Sequence, residues 1–331
     1  MFTGLCNLQT DQETEGGDKI IEKAWFWSAH ASVFPVRRNN TLFIPCCHYK
    51  RSSCLYKERG LLFTYMEVRT IEMGFSIAIA GKGGTGKTTL AGLLVKCLKD
   101  RHLGPILAID ADPNSNLNYV LGVEVTDTVG DIREDVTIRR EDLPSGMSKP
   151  DYINFKIHSS VIESEGYDLI VMGRPEGRGC YCFANDVLRR AIDTLSGNYP
   201  YIVMDEEAGM EHLSRRTTRD VDVLLMCADP SLRSLIAVSR IQDMADELEL
   251  NVSRKYMVVC RLAGELPESM SREIERLGLD LAGVVPYDDV ISEYELAGKP
   301  LLELPNESAA MKAVCEIAEK LEIPRFTTAT V

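Results

Sequence analysis

Residues Gly81-Lys82-Gly83-Gly84-Thr85-Gly86-Lys87-Thr88 satisfy G-x-x-x-x-G-K-[ST], and the segments on either side leave little choice of fold. Before the motif, Phe75 to Ala80 is a short, continuously apolar run that reads as a strand. After it, Thr88 to Lys99 carries apolar residues at Leu90, Leu93, Leu94, Cys97 and Leu98, the spacing of one helix face. Strand, glycine-rich loop and helix therefore come in the order that a phosphate-binding loop requires. Its glycines let the backbone curl around an anion, so that successive N–H groups and the helix N-terminus point at phosphates. Gly81 to Thr89 is the predicted cradle, with Lys87 reaching the β- and γ-phosphates and Thr88 holding Mg²⁺.

Further apolar strands are predicted at 105–110, 167–172, 199–205, 221–227, 255–260 and 281–286. Helical patterns at 183–195, 232–248, 268–277 and 308–321 fall between and after them. The alternation predicts an α/β fold with a doubly wound, mostly parallel sheet covered on both faces. In such a sheet the ligand crevice lies at the C-terminal strand ends, where Asp110 and Asp205 stand. Asp205 occupies the position of the acid that holds Mg²⁺, and Asp110 is placed close to the metal shell. Glu207-Ala208-Gly209 follows, and its glycine suits a switch whose N–H meets the γ-phosphate. No Asn/Thr-Lys-x-Asp follows Cys260, so ATP is expected rather than GTP. Residues 123–165 are polar and show no clear strand.

A net charge of −13 argues against a nucleic-acid backbone as the main partner. No apolar run is long enough to span a bilayer, and the chain reads as cytoplasmic with no membrane role. Ten cysteines, with Cys227 and Cys260 inside predicted buried strands, fit reduced thiols better than a disulfide framework. Residues 1–72 differ from the rest: both tryptophans and four of the ten cysteines lie there, and no strand–helix alternation can be followed. Cys46-Cys47-His48 crowds three neighbours onto one turn and makes a poor metal site. The expected organisation is an irregular extension over 1–72, upstream of a biological start at Met73, and a P-loop domain over 73–331.

Cys180-x-Cys182 offers two thiolates to one soft metal ion, whereas a closed tetrahedral site needs four ligands. A two-fold axis would supply the missing pair from a second copy. Two small residues filling the start of a helix is the alternative reading.

Lys82, directly after the first glycine, is not needed to bind a nucleotide within one chain. With it, the loop resembles that of the dimeric ATPases that include the nitrogenase iron protein, the partition and septum-site ATPases and the arsenite-pump ATPase. The resemblance implies a homodimer with nucleotide sandwiched between subunits and Lys82 crossing to the partner's phosphates; a solvated surface lysine is the other reading. Asp110-Ala111-Asp112-Pro113 resembles the family's first switch, which makes Asp112 the residue that positions or activates water, unless it only turns the chain before Pro113. The catalytic candidates are thus Lys82, Asp112 and Asp205. Pro286-Tyr287-Asp288 resembles the family's adenine-side segment, so Pro286 and Asp288 are predicted cofactor contacts; Cys260-Arg261 departs from the asparagine usual there.

Residues 173–182, 110–118 and 205–216 together resemble the nickel-insertion accessory ATPases of carbon monoxide dehydrogenase and acetyl-CoA synthase, over residues 73 to about 325. The resemblance implies an ATP-dependent metallochaperone that binds Zn²⁺ or Ni²⁺ through Cys180 and Cys182 across the dimer, with either enzyme as client. Glu206 departs from that family's neutral amide. Two alternatives remain. A nucleotide-dependent iron–sulfur reductase like the nitrogenase iron protein places its cluster cysteines singly rather than in a pair. A positioning ATPase of the septum-site type ends in a basic amphipathic helix, which Lys320 to Val331 is too short and too weakly basic to form.

Overall fold

Strand β1 (Phe75–Gly81) is buried at every residue, which a strand achieves only when both of its faces are covered. Ile77 and Ile79 point to one apolar core and Ala78 and Ala80 to another. The same split recurs in β5 (Tyr201–Asp205), where Tyr201 and Val203 face one side and Ile202 and Met204 the other. This period of two inside an unbroken apolar run accounts for the lack of alternation in the sequence.

In the computed structural model, the described residues are 74–132, 147–174, 182–206, 220–247 and 250–326, with four short strands before them. The chain divides into two compact units, Met1–Val68 and Arg69–Val331. In the first, Val36–Arg38 pairs antiparallel with Thr41–Phe43, and Lys57–Glu58 with Leu61–Leu62.

The second unit contains an 8-stranded sheet. Its other strands are β2 (Ile106–Asp110), β3 (Ile162–Ser164), β4 (Tyr167–Val171), β6 (Asp220–Ala228), β7 (Asn251–Leu262) and β8 (Leu281–Pro286). They lie in the order β8-β7-β6-β1-β5-β2-β4-β3, and every neighbouring pair is parallel except β3 with β4. The sheet is therefore doubly wound and mostly parallel, as the alternation of elements predicts.

Helix α1 (Lys87–Asp100) covers one face with Leu90, Leu93, Leu94 and Leu98, joined by α2 (Leu117–Leu121) and α8 (Ala309–Lys320). Burying each of those leucines stabilises the fold by roughly 1.5–3 kcal/mol. The opposite core is filled from α3 (Lys149–Ser159), α4 (Cys182–Leu195), α5 (Leu232–Glu247) and α6 (Glu268–Arg276).

Two expectations are corrected. The polar stretch 123–165 contains the helix α3 and the strand β3. Ser148 caps α3 by accepting from the Asp151 N–H, and only Ile153 and Ile157, one turn apart, anchor it, too few apolar positions to declare a period. The cysteines are not all reduced: Cys97 of α1 and Cys315 of α8 form a disulfide, with Cα atoms 5.8 Å apart. These residues are 218 positions apart, and only the packing of both helices on one sheet face brings them together. Cys227 and Cys260 are free and buried, as their strands predict.

Candidate functional site

The loop after β1 is shaped by how close it runs to β6. A Cβ on Gly81 would stand 2.5 Å from the Cys227 carbonyl oxygen, so no other residue fits there without displacing the backbone. Gly86, at φ 97°, is the N-cap of α1, and no side chain caps that helix end. The first-turn N–H groups of α1 therefore remain available to an anion, reinforced by the helix dipole.

Inside the loop one carbonyl gathers the donors. Lys82 O accepts from the Thr85 N–H at 3.3 Å, the Thr85 hydroxyl at 2.8 Å and Lys87 Nζ at 3.5 Å. Lys87 is buried while the Lys82 side chain projects to solvent.

Three acids line the same edge. Asp110 is wholly buried, and its two oxygens accept the N–H groups of Asp112 at 3.1 Å and Leu117 at 2.9 Å. Burial outweighs these bonds and pushes its carboxyl up to about 6. Asp205, on the neighbouring strand and in register with Asp110, is pushed up to about 7, by burial first and by the Asp110 charge; the Thr88 hydroxyl bond and Lys87 act in the opposite direction. Its Oδ1 has no hydrogen-bond partner. A buried, unpartnered carboxylate oxygen beside a threonine hydroxyl and a second carboxylate is a hard-oxygen set that fits Mg²⁺. Thr88 and Asp205 would hold the ion, with Asp110 alongside, and the bound cation would supply the charge that stabilises phosphoryl transfer.

Asp112 is partly exposed and accepts from the Asn114 N–H at 2.8 Å and Asn114 Nδ2 at 3.0 Å, so it makes the turn before α2 while standing at the crevice. Glu206 continues β5 by donating its N–H to the Ile79 carbonyl at 3.0 Å. Its buried carboxyl is pushed up to about 8, by desolvation and then by Asp205.

On the far side, Thr89 Oγ1 lies 3.4 Å from Glu295 Oε1 of α7 (Asp289–Leu296). Pro286 ends β8. Asp288 is heavily engaged: it caps α7 through the Val290 N–H at 3.0 Å and ties in α8 through the Ser308 hydroxyl at 2.6 Å and the Ala310 N–H at 3.1 Å. Those bonds hold its carboxyl below the usual range although partial burial opposes them.

Sequence reasoning marked Arg261 only as part of a departure from the usual asparagine; it donates from Nη2 to the Gly84 carbonyl of the loop. Its φ of 59° lies in the left-handed region, which no pattern of residue types announces. Cys182 opens α4, while Cys180, the side chain of Cys182 and the switch at Glu207–Gly209 lie outside the described residues. Among the described residues no group of three His, Cys, Asp or Glu side chains is placed to hold a metal ion. No described helix is long and apolar enough to cross a membrane.

A phosphate loop at the C-terminal end of the central strand, a capless helix behind it and two strand-end aspartates define a P-loop nucleotide-binding domain. Residues 76–301 match the CobQ/CobB/MinD/ParA nucleotide binding domain, and the chain belongs to that family. It is 47% identical to an uncharacterized ATP-binding protein of Methanocaldococcus jannaschii, over 76% of this chain and 99% of that one. It is 30% identical to the carbon monoxide dehydrogenase accessory protein CooC of Rhodospirillum rubrum, over 69% of this chain and 89% of that protein. In fold it is similar to the cell division ATPase MinD of Pyrococcus furiosus, with TM-score 0.57 and 22% identity over 76% of this chain and 99% of that one. ATP binding and hydrolysis are the activities that this membership supports.

Proposed function

We propose that the protein is an ATP-dependent metallochaperone that assists nickel insertion into the active-site cluster of carbon monoxide dehydrogenase or acetyl-CoA synthase. The observation that carries the reading is the sequence pair Cys180-x-Cys182, the second of which opens α4, in a chain 30% identical to a carbon monoxide dehydrogenase accessory protein. Helix α4 follows β4, and β4 is separated from the Asp205 strand only by β2, so α4 begins at the same edge of the sheet as the nucleotide loop. A homodimer provides four thiolates from two copies, a complete set for one Zn²⁺ or Ni²⁺. Lys82, exposed beside its own loop, is the residue that reaches the partner's phosphates. ATP binding then draws the two cysteine loops together, and hydrolysis releases them, which couples the nucleotide state to metal capture and delivery. Thiolates must lose protons to bind, so metal loading releases protons and weakens as pH falls.

Anaerobic size-exclusion chromatography with elemental analysis tests this. One ion per dimer is expected, lost together with metal-driven dimerisation when both cysteines are replaced by serine. One tightly bound ion per monomer, or dimers that persist in the double serine variant, overturns the proposal. Iron and sulfide in the dimer would instead indicate a reductase, the class to which the protochlorophyllide reductase ATP-binding relative of Chloroflexus aurantiacus belongs by name, at 27% identity.

A further inference from the structure

Two cations rest on carbonyl oxygens of the phosphate loop. Lys87 Nζ lies 3.5 Å from Lys82 O, and Arg261 Nη2 donates to Gly84 O. They come from different elements, Lys87 from the first residue of α1 and Arg261 from the second-last residue of β7. For Lys87 the phosphate role is built into the motif: a carbonyl is its resting partner, and the β- and γ-phosphates are the stronger acceptors. Arg261 stands in the same relation to the loop.

Its placement is specific. Arg261 adopts φ 59°, a left-handed conformation that disfavours a side chain bearing Cβ by roughly 1–2 kcal/mol. That turn breaks the regular pairing of β7 with β8 between Cys260 and Leu262. The residue before it, Cys260, packs beneath the loop, with its Cβ 3.5 Å from where a Cβ on Gly86 would stand. The strained residue thus carries its side chain from the floor of the loop over the rim. The guanidinium is exposed there, and the contact with Gly84 uses one of its five N–H donors. A planar, permanently charged fork beside a phosphate loop matches paired phosphate oxygens.

The geometry points to Arg261 as a phosphate-contacting residue of the nucleotide site, which exchanges the Gly84 carbonyl for the phosphate chain when nucleotide binds. This extends the cation set of the loop from Lys82 and Lys87 to a third member that comes from β7. It rests on nucleotide binding alone and stands whether or not the protein delivers nickel.

The test is titration calorimetry of the full chain with Mg²⁺ plus tripolyphosphate, ADP or ATP, at low and high salt, for wild type, Arg261→Ala and Arg261→Lys. All three proteins keep the same backbone strain, and the substituted side chain is exposed, so folding is not at stake. In Arg261→Ala, affinity for tripolyphosphate, ADP and ATP falls together by about tenfold, with a weaker salt dependence, and Arg261→Lys recovers most of it. Three results overturn the assignment. Loss of ADP and ATP affinity with tripolyphosphate unchanged makes Arg261 a base contact. A joint loss with the salt dependence of the wild type retained makes it a brace on Gly84. Unchanged affinities remove it from the site.

Discussion

Replacing Asp205 by Asn should stabilise the nucleotide-free protein at alkaline pH while destroying its Mg²⁺ response. The carboxyl of Asp205 is raised from 3.8 to about 7, chiefly by burial. A raised acid means that the folded state holds a proton which the unfolded chain has already released, so stability falls as pH climbs from about 4 to 7 and stays low above that. With those two values the penalty is about 1.6 kcal/mol at pH 5 and about 4 kcal/mol at pH 8.5. Asparagine removes this term, and its carbonyl still accepts from Thr88. Its amide, set where Oδ1 has no partner, costs roughly 1–3 kcal/mol at any pH. The two effects nearly cancel at pH 5, and the variant comes out more stable by about 1–3 kcal/mol at pH 8.5.

The quantity least dependent on that packing cost is the change in the difference between the two proteins across pH, about 3 kcal/mol. Urea unfolding followed by circular dichroism at both pH values measures it. Mg²⁺ with ADP should stabilise the wild type more at pH 8.5 than at pH 5, because the ion binds the ionised carboxylate, and should do little for the variant. A wild-type-to-variant difference that is flat with pH would refute the argument that burial holds Asp205 protonated. A full Mg²⁺ response in Asp205→Asn would remove it from the metal shell.

Lys87→Ala should abolish ATP and ADP binding in calorimetry, whereas Lys82→Ala should leave ADP affinity within about twofold and eliminate ATP-driven dimerisation and turnover; undiminished ATPase activity in Lys82→Ala excludes a role across the dimer. Reducing agent should lower the melting temperature of the wild type and leave Cys97→Ser unmoved, since closing a loop of 218 residues stabilises by roughly 3–5 kcal/mol. Equal melting with and without reductant would mean that Cys97 and Cys315 are free thiols in solution. A chain starting at Met73 should melt and hydrolyse ATP as the full chain does, because all of the 8-stranded sheet lies between Ile77's strand and Pro286; a large drop in melting temperature would show that residues 1–72 contribute to the fold.

What could be read in the sequence was whatever backbone geometry forces on residue choice. The close approach of Gly81 to Cys227 and the left-handed φ of Gly86 demand glycine, and strands covered on both faces demand unbroken apolar runs, so loop and sheet appear as patterns. Contacts that depend on the register of distant elements leave no such trace. Cys97 reads as one more apolar position of α1, and nothing near it names Cys315. Asp288 shows the limit from the other side. The resemblance makes this acid after β8 a predicted cofactor contact, and what the sequence did not announce is that its oxygens also hold the starts of two helices, α7 through Val290 and α8 through Ser308 and Ala310. A short polar side chain satisfying helix N–H groups and one reaching for a ligand obey the same local chemistry, and only the partner distinguishes them. The same reasoning gives Arg261 its weight. It lies where the sequence offers no glycine to ease a positive φ, so the strain persists only because the surrounding structure holds that side chain over the loop.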